Sequence, residues 1–215
     1  VPTYALHRSG YGHGAGDLAD LESFAAGLAG HGVDVMTILP IHPVFCGASP
    51  FDPSPYAPVT RLHWSELVAD LGGLAGPGGA PAFDDEARRR AARLAAAPHI
   101  DWRGVATLVH DVLDRSLSLP AVTAEVAAFA AAEPDVVDYA RFRAHVERAG
   151  APPPHDMRLD QAISDPAVGR HVLGQLVVRR QLDALGASLG RRGQLLALDL
   201  PVGSHPSGHE AWQRH

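Results

Sequence analysis

The run VDVMTILP at residues 33–40 decides the fold class of this sequence. It is mostly apolar and rich in β-branched residues, which is typical of a strand buried in a parallel sheet. An amphipathic segment precedes it at residues 17–30, with Asp17 placed as N-cap and Gly30 as stop. Residues 3–7 also have strand character. The sequence therefore predicts strand, helix and strand in about 40 residues, a right-handed βαβ unit.

The remainder of the chain predicts helices followed by one more strand. Residues 41–81 predict loops rich in proline and glycine. Residues 151–165 predict another loop, which is rich in proline. Helical periodicity runs through five segments, at residues 83–97, 102–117, 121–132, 135–149 and 166–190. The apolar run QLLALDL at residues 194–200 predicts a third strand.

These elements predict an α/β fold that is part of a (β/α)8 TIM barrel, with about the first three strands and a large helical insertion. A complete barrel of this kind takes about 250 residues. We expect three parts. Residues 1–50 would hold the first two strands and the helix between them, residues 51–165 a loop and the helical insertion, and residues 166–215 the long helix and the third strand.

The composition excludes several classes of function. The 215 residues carry a net charge of -6, which argues against nucleic-acid binding. We find no apolar run long enough to cross a bilayer and no signal-peptide pattern at the N-terminus. A single cysteine, Cys46, excludes an internal disulfide framework and fits a reducing cytoplasm. We therefore expect a cytoplasmic protein without nucleic-acid or membrane partners.

A glycine loop and a cysteine offer weak signals for cofactor binding or catalysis. The loop at residues 10–16 fails the G-x-G-x-x-G test, because the third glycine would fall at Ala15 or Asp17. A tight turn is the simpler interpretation. No local signature marks Cys46 as a nucleophile, and a lone cysteine is usually a small buried apolar residue. We expect no cofactor.

Two histidines near the end of the chain have the spacing of metal ligands. His205 and His209 are four residues apart, which on a helix would place both imidazoles on one face. Pro206 and Gly208 lie between them and argue against a helix there. We therefore expect no metal site.

Two positions have the features of a sugar site. Residues 48–64 follow the second predicted strand and combine rigid prolines with Tyr56, Trp64 and Arg61. Aromatic rings with fixed polar groups suit sugars, although a proline-rich surface loop would have the same composition. Asp199 lies at the end of the third predicted strand, where barrel enzymes carry active-site residues, although a turn aspartate is the alternative.

Three sequence blocks resemble the 4-α-glucanotransferases of glycoside hydrolase family 77. Residues 4–21 are similar to that family's Y-S-L-R … G-I-G-D-(F/L)-x-D-L opening. Leu39-Pro40 with residues 54–62, SPYAPVTRL, is similar to its L-L-P and S-P-Y-S-P-x-S-R-L-F motifs. Residues 198–212 resemble its D-L-P-V-G-V-H-P … W block, and residues 138–144, DYARFRA, match a helix of the family.

The resemblance implies a (β/α)8 barrel enzyme that transfers α-1,4-glucan segments between maltodextrins with retention of configuration. It implies that Tyr56, with Ser54 and Pro55 of the same motif, binds the sugar nearest the scissile bond. It implies that Asp199 contacts the donor sugar or supports the catalytic carboxylates.

The family's three catalytic carboxylates lie on later strands than this chain reaches, since it stops at His215. We therefore expect no catalytic residue here, no activity of the chain alone, and self-association through unpaired strand edges. A non-catalytic glucan-binding remnant is the alternative function. A different barrel glycosidase is a third alternative, which the order of the S-P-Y and D-L-P blocks disfavours. The family's usual Trp and Asp in the long helix are replaced by Leu176 and Arg179.

Overall fold

The computed structural model describes residues 1–8 and 12–214. The fold is α/β and mainly helical. The helices are α1 Leu18–Ala29, α2 Asp85–Ala95, α3 Trp102–Leu117, α4 Pro120–Ala132, α5 Pro134–Ala149, α6 Pro166–Arg191 and α7 His209–Gln213. The strands are β1 Val35–Ile38, β2 Phe45–Cys46, β3 Phe51–Asp52 and β4 Leu195–Leu198. Short 3₁₀ helices cover Thr3–Ala5, Glu66–Val68 and Pro77–Gly79.

The first helix begins at Asp17, as predicted. The Asp17 carboxylate accepts a hydrogen bond from the Asp20 N–H at 2.8 Å, and the Asp20 carboxylate accepts one from the Asp17 N–H at 3.0 Å, which is a capping box. Arg8 donates to both carboxylates, at 2.6 Å to Asp20 and 3.4 Å to Asp17. Gly30 is the C-cap, as predicted. Of the glycine loop at residues 10–16, Gly10 and Tyr11 lie outside the described residues.

The second and third predicted strands pair with each other in parallel. β1 and β4 are aligned from Val35 opposite Leu195 to Ile38 opposite Leu198. The Asp199 N–H donates to the Ile38 carbonyl at 3.1 Å and extends this ladder by one residue. Two strands that are far apart in sequence are therefore neighbours, and their carboxyl ends lie at the same edge.

The prediction of a strand at residues 3–7 is wrong. Thr3–Ala5 is a 3₁₀ turn, closed by the Leu6 N–H donating to the Thr3 carbonyl at 3.0 Å. The Tyr4 carbonyl accepts from the Gly16 N–H at 3.0 Å, and its ring packs edge-on against Trp102 with centroids 5.6 Å apart. The segment is held by the glycine loop and by α3, and these contacts replace strand pairing.

The prediction that the parallel strands are fully buried is also wrong. Met36 and Ile38 of β1 are buried in the main core with α1 and α6 residues. Val35 is 57% exposed and Leu195 is 65% exposed. In the part of the chain that the structure describes, helices cover one face of the strand pair and leave the other face open.

The five predicted helices, four in the insertion and the long helix after it, are present near their predicted bounds. Asp84, Asp101 and Asp165 each accept a hydrogen bond from the first turn of α2, α3 and α6. Proline opens α4, α5 and α6, where its missing N–H has no cost. α6 packs against α1, α3, α4, α5 and β4, so one core is continuous from the strand pair to the helices. No helix of the described ranges is both long and apolar enough to cross a membrane.

Candidate functional site

Tyr56 and Asp199 meet at the carboxyl end of the strand pair. The Tyr56 hydroxyl donates to the Asp199 carboxylate at 3.2 Å, although 143 residues separate the two in sequence. The Tyr56 side chain is 55% exposed, so its ring presents a free face. Partial desolvation and the hydrogen bond to Asp199 raise the pKa of Tyr56, and its phenol therefore stays protonated at neutral pH.

The S-P-Y turn is built by its own side chains. The Ser54 N–H donates to the Asp52 carboxylate at 3.0 Å, and the Tyr56 N–H donates to the Ser54 hydroxyl at 3.3 Å. The Ala57 N–H donates to the Ser54 carbonyl at 3.1 Å and closes the turn. Pro55 lines a narrow apolar cavity together with Tyr4 and Trp102. Ser54 and Pro55 therefore fix the direction in which Tyr56 points.

The segment after β4, residues 202–210, is hydrogen-bonded to residues 58–61, which follow Tyr56 in the same loop. The Arg61 N–H and guanidinium donate to the Glu210 carboxylate at distances from 2.8 to 3.1 Å. Arg61 also donates to the Val202 carbonyl at 3.1 Å, and the His205 N–H donates to the Pro58 carbonyl at 2.7 Å. Arg61 lowers the pKa of Glu210 through a hydrogen bond and its charge, so the pair is ionised at neutral pH.

Two further residues singled out from the sequence, Trp64 and Cys46, are held by packing and hydrogen bonds within the fold. Trp64, expected as a sugar platform, stacks on His42 with centroids 5.4 Å apart, and its backbone N–H and carbonyl both bind Gln175. Cys46 is buried, and burial raises the pKa of its thiol to about 12, so it is not a thiolate nucleophile at neutral pH.

The two spaced histidines are not brought together as ligands. His209 packs among aromatic rings, including Phe142 and Tyr139 at centroid distances of 5.3 and 5.8 Å. His205 packs edge-on against Phe45 with centroids 5.1 Å apart. Among residues 1–8 and 12–214, neither histidine belongs to the one group with metal-ligand geometry.

That group is a buried ionic cluster which sequence reasoning missed. Glu66 lies in the 3₁₀ helix Glu66–Val68, and its carboxylate is approached by His110 of α3 at 3.2 Å and His171 of α6 at 3.5 Å. Arg143 of α5 lies 3.3 Å from the same carboxylate oxygen, and Glu147 accepts from His171 at 2.8 Å. The signal was available, because His110 and His171 interrupt the apolar faces of their predicted helices.

Comparison with known protein families identifies one family that matches the whole chain. The family model described as 4-alpha-glucanotransferase, glycoside hydrolase family 77, matches residues 1–215. The chain therefore belongs to this family. No curated protein matches it.

Two of the solved structures that resemble the chain are amylomaltases. The crystal structure of amylomaltase from Corynebacterium glutamicum superposes with a TM-score of 0.74 at 25% identity, over 98% of this chain and 31% of that one. Amylomaltase from Streptococcus agalactiae in complex with acarbose gives a TM-score of 0.71 at 16% identity, over 99% of this chain and 44% of that one. The chain thus spans less than half the length of the amylomaltases it resembles.

Proposed function

We propose that the chain is the N-terminal part of a 4-α-glucanotransferase, and that the full-length enzyme transfers α-1,4-glucan segments between maltodextrins by a retaining mechanism. The observation that carries this proposal is the pairing of Tyr56 with Asp199 at 3.2 Å beside the carboxyl ends of β1 and β4. In barrel enzymes this end of the strands carries the active site.

Each of the two residues has a separate role in the proposal. The exposed ring of Tyr56 packs against the apolar face of a glucose unit, and its hydroxyl fixes the position of Asp199. The Asp199 carboxylate accepts hydrogen bonds from sugar hydroxyls, which bind charged acceptors strongly. Ser54 and Pro55 contribute by holding Tyr56 in this position. We assign Asp199 to substrate binding and not to bond cleavage.

A retaining transfer needs two carboxyl groups about 5–5.5 Å apart across the scissile bond. We propose that these carboxylates lie outside the 215 residues, so that this chain alone does not turn over glucans. The lengths of the two amylomaltases support this, since the chain covers 31% and 44% of them.

The proposal includes the architecture of the enzyme. β1 and β4 would be neighbouring strands of a (β/α)8 barrel, of which residues 1–50 and 166–215 form part, and residues 51–165 would be the helical insertion. The parallel pairing and the position of α6 immediately before β4 support this arrangement. Maltodextrin is the expected ligand, no cofactor is required, and the single cysteine favours a cytoplasmic setting.

Binding of acarbose and maltotetraose to the purified chain tests the proposed site. Tyr56→Phe removes the hydrogen bond to Asp199 and keeps the ring, and we expect affinity to fall about fivefold, corresponding to about 1 kcal/mol. Tyr56→Ala also removes the ring and should abolish measurable binding. Met157→Ala, at an exposed apolar residue of another loop, is the matched control. Equal affinity of Tyr56→Ala and the control would disprove the site.

A disproportionation assay on maltotriose tests the second part of the proposal. The chain alone should release no glucose above the blank and form no longer glucans. Turnover by this chain would show that the reacting carboxylates lie within it.

A further inference from the structure

Three side chains from three separate elements converge on one point of the core. They are Glu66 of the 3₁₀ helix, His110 of α3 and His171 of α6, and their ligand atoms all lie within 4.8 Å of one another. The Glu66 oxygen is 3.2 Å from Nε2 of His110 and 3.5 Å from Nδ1 of His171. Donors about 2.1 Å from a tetrahedral zinc ion lie about 3.4 Å apart. Two of the three distances between the prospective ligand atoms are therefore already close to this value.

His171 is oriented as metal-binding histidines are. Its side chain is fully buried, and its Nε2 is hydrogen-bonded to the Glu147 carboxylate at 2.8 Å. Its other nitrogen, Nδ1, faces Glu66 but makes no hydrogen bond with any described residue. A carboxylate on one imidazole nitrogen, with the second nitrogen directed at the position of the ion, is the usual outer-shell arrangement of a zinc ligand.

The third distance, between the His110 and His171 nitrogens, is at most 4.8 Å, and the cavity beside His110 leaves room for it to shorten. His110 lines a cavity of about 870 Å³ that also reaches Glu66, Arg143 and Glu147, so its ring has room to turn toward His171. The cavity gives an ion a path to the cluster and leaves a fourth coordination position for water or a small anion. Two histidines and one glutamate with an open fourth position is a known donor set for zinc.

The charges around the cluster set a limit on the ion. Arg143 donates to the Glu66 carboxylate at 3.3 Å, and Arg170 bridges Glu147 and Asp114. With neutral histidines, the three carboxylates and two guanidiniums leave one negative charge. A divalent ion would therefore be balanced by an anionic ligand in its fourth position, and a trivalent ion would not be tolerated.

We infer that Glu66, His110 and His171 form a binding site for a divalent first-row transition ion, with zinc as the best match, which joins the 3₁₀ helix, α3 and α6. Glu147 positions His171 from the outer shell. The site is independent of the proposed transferase function, because it uses none of the residues at Tyr56 and Asp199.

Titration of the metal-free protein with Co²⁺ and Zn²⁺ tests the inference. We expect one Co²⁺ per chain with the intense visible absorption of a tetrahedral site, displaced by one equivalent of Zn²⁺. Glu147→Gln should weaken the affinity about 10- to 100-fold, as outer-shell changes do. His110→Gln, at the partly exposed ligand, should remove the absorption.

Controls separate this site from surface binding and from loss of fold. His99→Ala removes an exposed histidine and should leave stoichiometry and spectrum unchanged. Far-UV circular dichroism should show that His110→Gln and Glu147→Gln remain folded. Absence of a tetrahedral spectrum in the unaltered protein, or an unchanged spectrum in His110→Gln, would overturn the inference and leave the cluster as an ion-pair network.

Discussion

Arg61 and Glu210 form a bidentate ion pair between segments that are 149 residues apart in sequence, with Arg61 Nη2 at 2.8 Å from Glu210 Oε1 and Arg61 Nε at 3.1 Å from Oε2. The Arg61 backbone N–H binds the same carboxylate at 2.9 Å. The pair joins the loop that carries Tyr56 to the helix that follows the Asp199 segment. Its planar geometry restrains both loops more tightly than a single contact would.

Replacing this carboxylate should loosen the junction. We expect Glu210→Gln to lower the melting temperature, because it removes the charge and presents an amide to the guanidinium. Glu125→Gln is the matched control, since Glu125 pairs with Arg180 on the surface and such exposed pairs contribute little. Thermal unfolding followed by circular dichroism would contradict this prediction if both variants melted alike.

Gly208 should resist substitution, whereas Gly203 in the same segment should accept it. A Cβ at Gly208 would lie 2.4 Å from the Val59 carbonyl oxygen and 2.8 Å from that of His205, whereas one at Gly203 would meet nothing within 4 Å. Gly208→Ala must therefore displace backbone, and we expect a loss of about 3 kcal/mol in the free energy of unfolding.

Gly203→Ala should change that free energy by less than about 0.5 kcal/mol. Urea titrations measure both variants. Similar midpoints for the two would mean that the contact between the loops at Val59 is not maintained in solution.

Two buried histidines should make the protein sensitive to acid. Burial lowers the pKa of both His63 and His209 to about 4, against 6.5 for a free side chain. Between these values the unfolded chain binds more protons than the folded one, so the free energy of unfolding decreases as the pH falls from 6.5 to 4. Each histidine accounts for up to about 3 kcal/mol of this loss.

A single substitution isolates one of these contributions. His209 has no hydrogen-bond partner for either ring nitrogen within the described residues, so His209→Leu removes a titrating group from aromatic surroundings. We expect a flatter dependence of stability on pH between 4 and 6.5, measured by urea unfolding at several pH values. His99→Leu, at an exposed position, should keep the original slope.

The open face of the strand pair should cause self-association. Val35 and Leu195 are neighbours on β1 and β4 and are both more than half exposed, and Leu198 and Leu200 extend the apolar surface. We expect the molar mass from light scattering to rise with concentration. Leu195→Lys should reduce this rise, and Met157→Lys on another surface should not. A constant monomer mass for the unaltered protein would disprove the prediction.

Helices were more predictable from this sequence than strands. Each helix has its own signals, such as the capping Asp17 and the proline at the start of α4, and these act within a few residues. The strand character of residues 3–7 was a poor guide, because long-range contacts with Gly16 and Trp102 decide their conformation. Burial of β1 and β4 depends on covering elements that periodicity alone does not reveal.

The candidate site was predictable only where a motif marked it. Tyr56 and Asp199 were both singled out, but their direct hydrogen bond was not, since it depends on how two loops pack. Glu66 follows directly after the candidate sugar segment at residues 48–64, but no residue near it in sequence is one of its partners in the cluster. Its partners His110 and His171 come from helices that are 44 and 105 residues further along the chain, which follows from their numbering.

The 26-residue helix α6 has a consequence for cooperativity. It is about 39 Å long, and it carries His171, Gln175 and the core side chains that α1, α3, α4 and α5 pack against. Any partial opening that displaced α6 would therefore uncover both the helices of the insertion and the apolar side of the strand pair. The free energy of such an intermediate would approach that of complete unfolding, so the chain should lose its structure in one all-or-none transition.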